Sequence, residues 1–119
     1  MTDYVSPSTV DEVVALLARY DGQARIIAGG TDVLPALRQA QDPDLRQQKI
    51  APQCLVDVTR VAGLDQIRVT EGFVEVGAAV TFARIHEHLL LQAHVPALTD
   101  AARSVGALAI QNAATWVGN

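Results

Sequence analysis

The stretch Ile26-Ile27-Ala28-Gly29-Gly30-Thr31-Asp32-Val33-Leu34 constrains the fold of this chain more than any other. Two β-branched residues run into a glycine pair, and a short polar step then opens an apolar run. That order predicts a strand, a tight turn and a helix start. Glycines at 29 and 30 permit positive φ and leave no side chain between backbone and ligand. Thr31 or Asp32 is expected to cap a helix carrying Val33, Leu34 and Leu37. Successive N–H groups in such a turn form a donor nest, and the helix start adds partial positive charge. A phosphate or pyrophosphate suits that nest. The alternative is a strand-to-helix turn with no ligand, since turn chemistry by itself explains the glycines. Glycines 29 and 30 are adjacent and no third follows, so a Gly-x-Gly-x-x-Gly fingerprint is absent, and no Gly-Lys-Ser/Thr follows to make a P-loop.

The chain's 119 residues make one domain or a piece of one, able to bury roughly two-thirds of its unfolded surface. Half the residues are hydrophobic and only 4% aromatic, so Val, Leu, Ile and Ala must build the core. Nine basic against thirteen acidic residues leave a net charge of −4, which argues against a nucleic-acid or anionic-membrane partner. The lone Cys54 makes neither an internal disulfide nor an iron–sulfur cluster, and fits a reducing cytoplasm. Met1-Thr2-Asp3-Tyr4 lacks the pattern of a signal peptide, and no apolar run approaches membrane-spanning length. A soluble cytoplasmic protein is the expectation.

Ser6-Pro7-Ser8-Thr9 predicts a helix entrance with Ser8 as N-cap and Asp11 and Glu12 in the first turn. Val10, Val13, Val14 and Leu17 form an apolar stripe at helical spacing, and Gly22 stops the helix. A strand from Ala24 to Ala28 follows, then the glycine turn and a second helix closed by Asp42-Pro43-Asp44. Residues 38–53 are polar and weakly patterned, a surface excursion. Cys54-Leu55-Val56-Asp57-Val58 is a second buried strand. Helix, strand, helix, strand suits a small parallel sheet. Beyond Thr59 the pattern alternates: residues 66–70 and 73–77 flank Glu71-Gly72 as an antiparallel hairpin. Thr81 caps a helix through Phe82, Ile85 and Leu89. Pro96 opens another with Leu98, Ala101, Ala102 and Val105 on one stripe, ended by Gly106. Leu108-Ala109-Ile110-Gln111-Asn112 reads as an entering strand. The expected division is an α/β lobe over residues 1–58 and the start of a second, antiparallel lobe over 59–119, with one hairpin and two helices. That second lobe is incomplete, and the chain reads as an N-terminal fragment.

His86, His88 and His94 cluster, but 86 and 88 point to different sides of a helix, so solvated or capping roles are expected in place of a metal. Cys54 reads as an inert core thiol. Tyr4 and Tyr20 have no paired base, and Arg60 and Arg68 read as surface charges. No Ser/His/Asp arrangement is recognisable, so no catalytic residue is assigned. Thr115-Trp116-Val117-Gly118-Asn119 offers hydrogen-bond donors and a close backbone approach at Gly118, with an ordinary turn as the alternative.

Ala28-Gly29-Gly30-Thr31-Asp32, together with residues 109–119 (Ala-Ile-Gln-Asn-Ala-Ala-Thr-Trp-Val-Gly-Asn), resembles the flavin subunit of the molybdenum hydroxylases, the xanthine dehydrogenase and carbon monoxide dehydrogenase family. Leu55-Val56-Asp57-Val58 and residues 74–81 fit that family's strand patterns, so the resemblance spans nearly the whole chain. It implies an α+β FAD-binding domain of the vanillyl-alcohol-oxidase (PCMH) type, with FAD held between two lobes. Ile26, Ile27, Ala28, Gly29, Gly30, Thr31, Asp32 and Val33 would supply one diphosphate loop. Thr115, Trp116, Val117, Gly118 and Asn119 would supply the other, with Val105 against the flavin ring. Also implied are partner subunits carrying [2Fe-2S] clusters and molybdopterin, with FAD passing electrons to NAD or another acceptor. The chain departs from the family pattern at Gln111, Ala114, Trp116 and Val117. The family's domain continues with further cofactor-contacting strands, so these 119 residues are expected to hold FAD weakly or not at all. A non-catalytic α/β docking or scaffold module with structural glycine turns is the alternative function, and a binder of another phosphate ligand is a third.

Overall fold

Thr9 begins the first helix in the computed structural model, which describes residues 1–41 and 51–118. Its side chain accepts the Glu12 N–H at 3.2 Å, while the Glu12 carboxylate accepts the Ser8 and Thr9 N–H groups at 2.7 and 3.3 Å. This reciprocal capping box moves the cap one residue beyond the expected Ser8, because only Thr9 has Glu at its N3 position. The helix, α1 (Val10–Arg19), stops at Asp21 and Gly22, with φ +42° and +81°. Val13 is buried, but Val10 and Val14 are exposed, contrary to the expected stripe. Leu16 and Leu17 are half-buried, so the packed face is turned toward Val13, Leu16 and Leu17.

The capping box carries a pH signature. The backbone N–H groups of Ser8 and Thr9 hold the Glu12 carboxyl below the ordinary carboxylate range. A carboxyl lowered in the folded state stabilises above its unfolded pKa, about 4.3, and that stabilisation is lost as pH falls through the folded value. Glu12→Gln should therefore be less stable than the parent in urea at about pH 6, with the gap closing toward about pH 3. A gap independent of pH would assign the loss to geometry alone.

Three parallel strands make the first sheet, β1 (Asp3–Val5), β2 (Ala24–Ile27) and β3 (Cys54–Asp57), in the order β1-β3-β2. The central β3 is buried at every position, with Cys54 and Val56 at 0% exposure. The parallel sheet matches expectation. β1 was not expected, since three residues are too few for alternation to register. Ala28 lies just past β2. α2 (Val33–Gln41) follows the glycine turn, so residues 38–41 are helical and not part of the polar excursion. The predicted stop at Asp42-Pro43-Asp44 lies outside the described residues.

The chain divides into two compact units, Met1–Ala62 and Gly63–Asn119. In the second, β4 (Ile67–Thr70) and β5 (Phe73–Val76) pair antiparallel, Ile67 with Val76 and Val69 with Val74. Gly72 supplies φ +88° at the turn. The partly buried face of this hairpin packs on a core of Val80, Phe82, Ile85, Leu91, Ala102 and Ala114. Four helices follow where two were expected: α3 (Phe82–Glu87), α4 (Leu89–His94), α5 (Pro96–Arg103) and α6 (Leu108–Ala113).

Two corrections arise in this unit. The helix opened by Thr81 does not run through Leu89. His88 leaves helical geometry (ψ 113°), and its Nδ1 accepts the Leu91 N–H at 3.4 Å as N-cap of α4. Leu89 is consequently 77% exposed. Leu108–Asn112 is helical and not a strand. Buried Gln111 donates its side-chain N–H to the Arg103 carbonyl at 2.8 Å, anchoring α6 on the end of α5. Five residues of mixed pattern cannot separate a strand from a short helix, and this tertiary bond decides between them.

Candidate functional site

Ile26 to Val33 leave the sheet where parallel β2 ends and α2 begins. Ile27 is buried at the strand end and its carbonyl accepts the Val58 N–H from the central strand's exit at 3.0 Å. Ile26 is exposed, Ala28 to Thr31 are half-buried, Asp32 is exposed and Val33 half-buried. Of the glycine pair, Gly30 takes positive φ, +72°. A Cβ there would also stand 3.0 Å from Leu34 Cδ1, so both conformation and space favour glycine.

The helix ladder starts early, with the Gly30 carbonyl accepting the Leu34 N–H at 3.0 Å and the Asp32 carbonyl accepting the Ala36 N–H at 3.1 Å. The expected side-chain cap does not form, as neither Thr31 nor Asp32 bonds through its side chain to a described residue. What results is a run of backbone donors. Among the described residues, no N–H from Gly29 to Val33 has a protein acceptor. Such a run at the positive end of a nine-residue helix is complementary to a phosphate oxygen. The donor set therefore fits the diphosphate of a dinucleotide cofactor.

The second segment belongs to the other unit. Ala114 and Thr115 are buried, Trp116 is half-buried, and Val117 and Gly118 are exposed; Asn119 lies outside the described residues. Thr115 pairs with Thr81 in an isolated antiparallel bridge. The Phe82 N–H donates to the Ala114 carbonyl and the Trp116 N–H to the Val80 carbonyl, both at 3.1 Å. Gly118 donates its N–H to Thr115 Oγ1 at 3.2 Å, and a Cβ at 118 would lie 2.6 Å from that oxygen. Val105 is half-buried and packs against the core of its unit.

Every residue of the first unit's 26–33 segment is contiguous around one turn. Asp57, which sequence reasoning treated only as part of a strand pattern, stands in register opposite Ile27. Its carboxylate accepts the Tyr4 hydroxyl at 2.5 Å, the Ser6 hydroxyl at 3.3 Å, and the Thr59 N–H and hydroxyl at 2.9 and 2.7 Å. A carboxylate inside a buried Leu-Val-Asp-Val run was the signal that could have found it.

A family model described as the FAD binding domain in molybdopterin dehydrogenase matches residues 1–119. The chain belongs to this family. It is 36% identical over 118 residues to the nicotinate dehydrogenase FAD-subunit of Eubacterium barkeri, covering 98% of this chain and 37% of that protein. Against the xanthine dehydrogenase FAD-binding subunit of Escherichia coli O157:H7 the identity is 38% over 117 residues, covering 98% and 37%. A carbon monoxide dehydrogenase structure from Hydrogenophaga pseudoflava, lacking the Mo-pyranopterin moiety of its molybdenum cofactor, superposes with a TM-score of 0.85 at 28% identity, covering 98% of this chain and 38% of that one. The fold is thus the α+β fold of an FAD-binding domain. The chain spans about 37% of the length of these curated relatives. Among the described residues, no helix is long and apolar enough to cross a membrane.

Proposed function

We propose that this chain is the FAD-binding, electron-transferring part of a molybdenum hydroxylase, an oxidoreductase of the xanthine dehydrogenase and carbon monoxide dehydrogenase type. The observation carrying this reading is the N–H run from Gly29 to Val33, without an acceptor among the described residues, in a chain that the FAD-binding family matches throughout. Ile26 to Val33 supply a diphosphate-binding turn. The Thr115–Asn119 segment supplies further contacts through groups other than the Trp116 indole, and Val105 an apolar one to the ring. FAD, when bound, supplies redox chemistry, taking electrons from iron–sulfur centres and delivering them to NAD or another acceptor. The protein's part is orientation and access. Its partners in this reading are an iron–sulfur subunit and a molybdopterin subunit, and its compartment is the cytoplasm. The 119 residues span little more than a third of their relatives, so they should hold FAD weakly by themselves, and the test belongs in the natural full-length subunit.

Gly30→Val forces a β-branched residue into φ +72° and crowds Leu34, displacing the donors. Gly22→Val is the control: φ is +81° with nothing within 4 Å, so the backbone strain is alike but lies away from the turn. The expected result is loss of flavin absorbance in Gly30→Val, while Gly22→Val loses similar stability and keeps its flavin. Equal flavin content in both folded variants would leave the glycine turn purely structural, as in a docking module.

A further inference from the structure

We propose that Trp116 is a positioning residue for the cofactor, and that its indole acts by clamping the 114–118 segment and not by touching the ligand. This rests on the FAD reading above and adds a role that the residue's place in the segment does not by itself imply. The chain's one indole N–H is spent on a protein carbonyl, donating from Nε1 to the Gly77 oxygen at 2.8 Å across 39 residues. The residue packs, half-buried, against the core of Val80, Phe82, Ile85, Leu91, Ala102 and Ala114. Neither its donor nor its packed surface is free for a ligand.

The clamp acts on its neighbours. Indole to Gly77, Trp116 N–H to Val80 and Phe82 N–H to Ala114 are three bonds that lock residues 114–116 onto residues 77–82. Within that lock Thr115 is 3% exposed and its hydroxyl oxygen holds the Gly118 N–H. The Thr115 N–H, the Thr115 hydroxyl proton and the Val117 N–H are then the donors left without an acceptor among the described residues. Their direction is fixed only while 114–116 are pinned. A segment ordered in advance loses less entropy on binding, so loosening the pin should weaken cofactor affinity with no ligand contact removed.

The test uses Trp116→Phe in the natural full-length subunit, which keeps an aromatic ring and deletes the N–H. Val95→Ala, trimming a half-buried side chain elsewhere on the same core, matches the loss of stability. FAD affinity and release rate are measured beside urea stability. The expectation is roughly tenfold weaker FAD binding and faster release in Trp116→Phe, with affinity unchanged in Val95→Ala. Unchanged affinity in Trp116→Phe, or equal weakening in both variants at equal stability loss, would overturn the clamp. Failure of the parent subunit to take up FAD would instead overturn the underlying reading, and the clamp with it.

Discussion

Gly77→Ala should destabilise the second unit by about 3 kcal/mol or more, at the upper end for an overpacking substitution. A Cβ at position 77 would lie 2.2 Å from the Leu64 carbonyl oxygen, 2.6 Å from its carbon and 3.1 Å from the Gln66 oxygen. These are backbone atoms, so no side-chain rotation relieves the clash. Nor can residues 64–66 retreat cheaply. The Gln66 oxygen accepts the Gly77 N–H and the Leu64 oxygen accepts the Ala79 N–H, each at 2.8 Å. Separating the two segments breaks both bonds, and the Gly77 carbonyl also holds the Trp116 indole. Gly72 provides the contrast: its φ is +88° but nothing lies within 4 Å, so alanine there should cost only about 1 kcal/mol. Urea unfolding of both variants decides the point. A Gly77→Ala loss no larger than that of Gly72→Ala would mean the packing at Leu64 yields.

Gly30 and Gly77 also show what could be read before any coordinates. Gly30 is required by a local conformation, a strand reversing into a helix, and its neighbours Ile26, Ile27, Val33 and Leu34 announce that turn. Gly77 is required by the approach of Leu64, thirteen residues upstream on the other side of the β4–β5 hairpin, and nothing adjacent to it signals this. The same division runs through the fold. Ile67, Val69, Val74 and Val76 announce a hairpin and its register because alternation is local. The helicity of Leu108–Ala113 depends on Gln111 reaching Arg103, and β1 exists because β3 lies beside it. In the candidate site, the turn at 29–33 was legible from the glycine pair between an apolar strand and an apolar helix start, whereas the expected Thr31 or Asp32 cap is not formed. The fates of particular donors were not: the Gly118 N–H turns inward to Thr115, and the Trp116 indole reaches Gly77.

Asp57→Ala should cost the first unit about 2–3 kcal/mol, the range for hydrogen bonds to a charged group. Tyr4 and Leu55 are register partners on the sheet, so Tyr4 shares a face with Asp57 two residues further on, and its hydroxyl bridges β1 to β3. Alanine strands the Tyr4 hydroxyl and the Thr59 N–H together. Both residues are exposed enough for water to replace part of the loss, which keeps the figure below that of a fully enclosed charge. Burial pushes the Asp57 carboxyl up, but the hydrogen bonds from Tyr4, Thr59 and Ser6 outweigh it and hold the group below its ordinary range. The sign of the linkage follows: this stabilisation is present above the unfolded pKa, about 3.9, and fades as pH falls through the lower folded value. Tyr4 titrates at the other end. Its bond to Asp57, with burial, raises the phenol above 10.0, so the contribution is lost again as alkali converts it to a phenolate facing a carboxylate. A double-mutant cycle with Tyr4→Phe measures the bridge itself. Additive losses in Asp57→Ala and Tyr4→Phe would show that the two side chains do not hold β1 against β3. Strong coupling at neutral pH that disappears in both acid and alkali is the expected result. Because Asp57 stands opposite Ile27, the last residue before the glycine turn, loosening β3 should also loosen the donors that follow.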